Sequence, residues 1–317
     1  MMGVSYTKFR DDSTTVPAAT AATFTWGENI PSGALESLII RMTATVATGG
    51  VLADFPNVIS SIRFTLNGEV IHDFRQAVSG GSNNNPSAYG YFLNSIGGRA
   101  VEKPSDLTKE CYLVIPIGRQ IKESVGRIEC VISFAATAAA VSAGTFQLWG
   151  RYNTATQTQT TVVPATSYTH AAAIEQVVVR IPQDVKGVVA GILIQNDTAA
   201  DQFGSQGVRL MAQSAYGLDA DFLRTFNGDL NNGVLYADDD LSTSALTFAQ
   251  EVKGALFVPT YNLVGGDVVL QVDSSETTTR TYTPVMIAPF NSKESTGVRQ
   301  TAAVIGNTSK AILDKTE

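Results

Sequence analysis

Little in this 317-residue chain is suited to chemistry. It has two cysteines, Cys111 and Cys130, and two histidines, His72 and His170. Two thiols cannot build a disulfide framework, and no CxxC or Cys/His cluster is present to hold zinc. Both cysteines sit in apolar strand-like runs, where burial in a reducing compartment is the expectation. No Gly-x-Ser-x-Gly elbow, phosphate-binding glycine loop, dinucleotide fingerprint or His-Glu-x-x-His helix occurs, so nucleophilic, nucleotide and zinc chemistries lack their usual support. Charged residues make up only 16%, and Lys+Arg 22 against Asp+Glu 29 leaves a net charge of -7. Without a basic block, specific nucleic-acid binding is not expected. Long apolar runs are missing too: Gly187–Ile194 is far shorter than the ~20 residues that span a bilayer. Met1–Asp12 lacks the apolar core of an export signal. The expectation is a soluble product made in the cytoplasm.

What is abundant is Thr, Val, Ala and Gly, in short β-favouring runs separated by Gly, Asn, Asp and Pro, which is an all-β signature. The clearest element is Ile62–Leu66, then Asn67-Gly68, then Glu69–Phe74. That dipeptide tolerates the two positive φ angles of a type I′ turn, so a β-hairpin is predicted. Further strands are expected at Thr23–Trp26, Leu35–Val46, Cys111–Ile117, Arg127–Phe134 and Thr145–Tyr152. From Pro86 to Ile96, Ala88, Tyr89, Phe92, Leu93 and Ile96 recur at helical spacing, which predicts one short crossover helix.

An internal repeat organises the rest. Leu35–Met42 (LESLIIRM) reappears as Ile174–Ile181 (IEQVVVRI), with Glu36/Glu175 and Arg41/Arg180 in register. Ile62–Leu66 then parallels Val208–Ala212, Tyr112–Pro116 parallels Ala255–Pro259, and Gly126–Ile132 parallels Gly266–Val272. Four matches in the same order indicate two copies of one β-domain. The expected division is an N-terminal arm over 1–20, domains over 21–155 and 171–290, a polar linker over 156–170 and a tail over 291–317. A chain of this length buries roughly 74% of its unfolded surface, enough for two cores.

Candidate sites are few. The spacing of Glu36 and Arg41, and of Glu175 and Arg180, puts each pair on opposite faces of a strand, so these read as rim or subunit-contact positions. His72 reads as a polar-facing hairpin residue and His170 as structural. Tyr89, Tyr91 and Phe92 read as core. Asn227, Asp229, Asn231 and Asp238 place oxygens at the first, third, fifth and twelfth positions of a calcium-type loop. Its glycine comes one residue late, at Gly233, so a solvated loop is the competing reading. No other cofactor is expected.

Two tandem β-domains with a helical excursion and no catalytic set resemble the double jelly-roll major capsid proteins of tailless icosahedral, membrane-containing bacteriophages. The resemblance implies two eight-stranded jelly-roll sandwiches with short crossover helices, and no enzymatic activity. It further implies a homotrimer acting as a pseudo-hexameric capsomer in the virion, with neighbouring capsomers, vertex (penton) and minor capsid proteins as partners and no small-molecule substrate. It also suggests that Lys8, Arg10, Lys293, Arg299, Lys310 and Lys315 face anionic lipid of an inner membrane or other inner partners. Two alternatives stand beside it: a virion spike or other carbohydrate- or receptor-binding sandwich, and a hydrolase built on Glu36, Glu129 and Asp73.

Overall fold

The computed structural model describes residues 3–12, 22–46, 59–77, 88–103, 108–122, 126–134, 141–182, 185, 187–197, 203–211, 255–264 and 267–290. The first half carries β1 (Val4–Asp12), β2 (Ala22–Ile30), β3 (Gly33–Val46), β4 (Ile59–Leu66), β5 (Glu69–Arg75), helix α1 (Ala88–Ser95), β6 (Arg99–Lys103), β7 (Thr108–Ile121), β8 (Gly126–Phe134) and β9 (Val141–Asn153). One sheet runs β1-β9-β3-β7-β6, and the facing layer runs β5-β4-β8-β2. Along β3, Leu38, Ile40 and Met42 are buried while Ile39, Arg41 and Thr43 are half-buried on the outer side. This is the period-two pattern of a sheet with one face on a core. The Asn67-Gly68 turn forms as predicted, with φ of 50° and 85°.

The second half carries β10 (Thr158–Val162), β11 (Thr166–His170), β12 (Ile174–Val179), β13 (Val188–Asn196), β14 (Phe203–Leu210), β15 (Ala255–Val264), β16 (Val268–Ser274) and β17 (Thr278–Pro289). Here β15-β13-β17 continues to β10, with β11 also on β17, and the opposing layer runs β12-β16-β14. The strand order repeats that of the first barrel. β10 and β11 together stand for β1, β12 for β2, β13 for β3, β14 for β4, β15 for β7, β16 for β8 and β17 for β9.

The repeat also holds at the level of register. Ile62 pairs with Ile132 and Phe64 with Cys130, as Val208 pairs with Val272 and Leu210 with Leu270. Ile40 pairs with Leu113 and Leu148, as Ile194 pairs with Leu256 and Tyr282. Both barrels carry a bulge at the same place, between Leu35 and Ser37 and between Val189 and Gly191. Three of the four sequence matches therefore join equivalent strands. The first does not: Leu35–Met42 lies on β3, whose counterpart is β13, whereas Ile174 begins β12. The likeness is one of alternating pattern only, between β3 of 14 residues and β12 of 6, one strand out of step.

Two expected boundaries also change. Residues 4–12, expected in an arm, form β1, which pairs with β9 from Val4↔Asn153 to Asp12↔Phe146. Within 156–170, expected as a linker, β10 and β11 pair with β17 and form the first strand of the second barrel. The polar tract that suggested a linker runs into β10, whose Thr160 and Thr161 are nonetheless buried, while β11 exposes Ser167, Tyr168 and Thr169. The tail from 291 lies outside the described residues.

Two glycines allow a test of the backbone. Gly118 and Gly68 both have positive φ, at 60° and 85°. A Cβ on Gly68 meets open space, whereas one on Gly118 collides with the Thr158 carbonyl at the start of the second barrel. Gly68→Ala is expected to cost only the conformational penalty, about 1–2 kcal/mol. Gly118→Ala is expected to cost more, read as a larger drop in urea midpoint, and equal losses would show that the two barrels are not packed as described.

Candidate functional site

The most elaborate polar and aromatic constellation lies where the two barrels meet. Residues of β13, β15 and β17 divide by parity. Ile192, Ile194, Leu256, Val258, Tyr282 and Met286 belong to the second barrel's core, while Leu193, Ala255, Phe257 and Val285 pack into the first barrel's core. This sheet is dry on both sides, which explains why Gly187–Ile194 reads as a continuous apolar run. Helix α1 fills the junction. Its Phe92 ring lies 6.5 Å from Phe257, and the Tyr91 hydroxyl accepts the Phe257 backbone N–H at 3.1 Å. The expectation that Tyr89, Tyr91 and Phe92 are core residues agrees with their burial.

Two polar side chains sealed into the junction, Gln195 and Arg119, find partners across it. Gln195 donates through Nε2 to the Arg75 carbonyl at 3.0 Å and accepts the Ala77 N–H at 3.3 Å. Arg119, 1% exposed, donates to the carbonyls of Ile117 at 2.7 Å and Thr160 at 3.1 Å and to the Thr161 hydroxyl at 2.5 Å. No carboxylate bonds to it among the described residues. Burial lowers its pKa to about 10, so it remains a cation held by neutral oxygens. A single parallel bridge, Val162↔His72, makes the facing layers of the two barrels one continuous sheet.

His72 is a correction. It shares a face of β5 with Phe74, lies opposite Phe64 and is buried beneath α1, with Nε2 3.1 Å from the Tyr89 hydroxyl. Phe64, Tyr89 and Phe92 ring it. Its Nδ1 has no hydrogen-bond partner among the described residues. Burial alone lowers its pKa to about 3, so it is neutral. His170 is also buried, with Nε2 2.6 Å from the Tyr282 hydroxyl and Nδ1 3.2 Å from the Glu175 carboxylate. Burial and the Arg280 charge lower it to about 4 against the opposing pull of Glu175.

The remaining candidates disperse. Glu36 engages Arg151 at 2.9 Å and accepts from Asn153 at 2.9 Å, while Arg41 donates to Gln147 at 3.4 Å. Glu175 turns to His170 and the Ala171 N–H, and Arg180 is exposed. The carboxylates of the hydrolase reading each hold a different arginine: Glu36 with Arg151, Glu129 with Arg127 and Asp73 with Arg63. Lys8 pairs with Asp11 at 2.8 Å and Arg10 with Glu28 at 2.8 Å, so both cations are already matched. Cys130 is a buried free thiol. Asn227, Asp229, Asn231 and Asp238, like Lys293, Arg299, Lys310 and Lys315, lie outside the described residues. Among the described residues no group of three or more His, Cys, Asp or Glu could hold a metal ion. Sequence reasoning did not find Arg119, Gln195 or the junction itself; the one signal was the unbroken apolar run of β13.

No protein-family model matches the chain, and no curated protein matches it. Solved structures do. The crystal structure of the major capsid protein P2 from bacteriophage PM2 is 12% identical, with a TM-score of 0.50, and the match covers 91% of this chain and 98% of that one. The crystal structure of the STIV major capsid protein is 9% identical, with a TM-score of 0.57, covering 90% of this chain and 97% of that one. At such identities the likeness is one of fold, and it spans both barrels: the chain is a double jelly roll.

The two histidines make stability acid-sensitive with a definite sign. Each has a folded pKa below the unfolded value of 6.5, so the unfolded chain binds the proton first. Their contribution is complete above pH 6.5 and is lost as pH falls toward 4, at about 1.4 kcal/mol per pH unit for each histidine. Urea midpoints between pH 7 and 4.5 should show this slope, and His72→Phe should roughly halve it; a flat profile would refute the burial of both rings. Arg119→Lys keeps the charge but not the fork, and the loss of two charge-assisted bonds should cost about 2–4 kcal/mol in equilibrium unfolding.

Proposed function

We propose that this protein is the major capsid protein of an icosahedral virus, a structural rather than catalytic component of the virion. The single observation that carries this is the duplication: two barrels with the same strand order, the same cross-strand register and the same bulge, fused through a dry sheet. A duplicated barrel lets three chains present six similar units, so a trimer fills a six-fold position in a shell while the copies stay free to differ in their outer contacts. The likeness to two proteins named as major capsid proteins extends over nearly the whole of each chain. In this reading the partners are other copies of the chain, neighbouring capsomers, and vertex and minor proteins of the particle. Assembly free energy comes from extended barrel faces instead of a pocket. The net charge of -7 suits a particle kept dispersed by mutual repulsion.

Mass determination with electron microscopy of the purified protein and of its source particles tests this. Three chains of 33.6 kDa give about 100 kDa, and trimers of that mass tiling as pseudo-hexagonal units are the expected result. A species that never enters a lattice under any condition would overturn the reading and favour a separable glycan-binding protein.

A further inference from the structure

The two barrels build one sheet alike but finish its outer face differently. On the outer side of β12-β16-β14, Val178 pairs with Val269, and Met211 donates its backbone N–H to the Val269 carbonyl at 3.1 Å, so the three side chains form a row across the sheet. Val178 is 53% exposed, Met211 is 37% exposed and Val269 is half-buried. The next row is polar, with Gln176, Gln271 and Arg209, and the row beyond it sets the exposed Ile174 opposite Asp273. The wholly apolar row is therefore the one at the Val268 end of β16.

Register gives the counterparts in the first barrel. Leu210, Leu270 and Val177 answer to Phe64, Cys130 and Trp26, which puts Thr65, Glu129 and Gly27 at the positions of Met211, Val269 and Val178. That row is polar and covered from within. Glu129 pairs with Arg127 at 3.1 Å, and the Arg127 guanidinium fills the space beside Gly27 that a Cβ would need. The fold thus does not demand apolar residues at these positions, yet the second barrel presents three.

Two observations name what covers them. The row spans three strands, roughly 10 Å at the ordinary strand spacing. A subunit interface buries about 800 Å² on each partner, far more than this row offers, whereas one short peptide segment matches it. The end of β17 is also close by: Val264 pairs with Val188, which pairs with Ile287, and β16 starts at Val268 just after Val264. Residues 291–317 therefore begin at the end of the barrel where the row lies, and their longest apolar run is Ala302–Ile305. The stretch from Phe290 to Ala302 reaches up to about 40 Å when extended, and the two sheets of a sandwich lie ~10 Å apart. We propose that Ala302–Ile305 docks on Val178, Val269 and Met211 of its own chain, so that the tail straps the end of β17 to the opposite sheet of the second barrel. This goes beyond the shell reading and does not rest on it.

Tryptic cleavage of the full chain at Arg299 and Lys310, which flank the docked run, tests the proposal. Wild type should be cut slowly at both sites. Val178→Asp, which changes an exposed side chain, should be cut at least about tenfold faster, because cleavage follows the population of undocked tail. Gln176→Asp, on the same strand and face but in the polar row, should match wild type. A Val178→Cys/Val304→Cys double variant gives a second reading: on oxidation it should form a disulfide within one chain, while Glu129→Cys/Val304→Cys should form none. Equal cleavage of wild type and Val178→Asp overturns the proposal, as does a disulfide joining two 33.6 kDa chains into a species of about 67 kDa. Protection of the tail that appears only with phosphatidylglycerol vesicles overturns it in favour of a lipid surface. None of these outcomes bears on whether the chain trimerises, so the shell reading stands or falls separately.

Discussion

One sheet of this molecule has no wet side, and the rest of the chain is organised to keep it dry. The β13-β15-β17 layer gives alternate residues to two different cores, so both barrels lose apolar contact if it shifts. Burying both faces removes solvent as a partner for polar groups there, which then depend on partners inside the protein. Gln195 and Arg119 meet that demand by bonding across the junction, which makes their hydrogen bonds contacts between barrels. The aromatic packing of α1 on Phe257 and the enclosure of His72 follow from the same geometry.

The shared bulge shows how one architecture is adapted to two surroundings. An extra residue in β3 and in β13 shifts the side-chain phase, so that Leu35 and Leu38 both point inward, as do Val189 and Ile192. The inserted residue itself differs. Glu36 reaches an arginine on the outer side of the first barrel, whereas Ala190 packs against the first barrel's core. The same backbone device thus presents a charge where the sheet faces outward and a methyl group where it faces another domain.

How far the fold could be read beforehand depended on which physical signal each element carried. The Asn67-Gly68 hairpin and the α1 periodicity were legible because turn chemistry and helical spacing are local. Three repeat matches were legible because equivalent core positions, such as Phe64 and Leu210, keep an apolar side chain. β1 and β10 were not. β1 carries Lys8, Arg10 and Asp11, since a strand at an edge needs little apolar surface and carries charge against unwanted pairing, and β10, although it lies between β17 and β5, is rich in threonine and glutamine and so shows no apolar alternation. His72 was misjudged because its neighbours in space, Tyr89 and Phe92, come from a helix that follows later in the chain. The junction was invisible for a similar reason: Arg119 and Gln195 look like ordinary surface residues until the partner carbonyls of another barrel are placed beside them.

The pairing of β1 with β9 has a consequence for synthesis. Within the first barrel β1 must wait for its partner β9, the last strand of that barrel, because Val4 lies against Asn153. β10 then follows almost at once and has two neighbours, β5, already made, and β17, not yet made. The completed first barrel can hold β10 in place as the second barrel is still being translated, so the junction serves as a template on which the later half is built. Each barrel closes through long-range pairings, which slow folding by virtue of their sequence separation, and the first barrel offers the second a finished surface on which to begin.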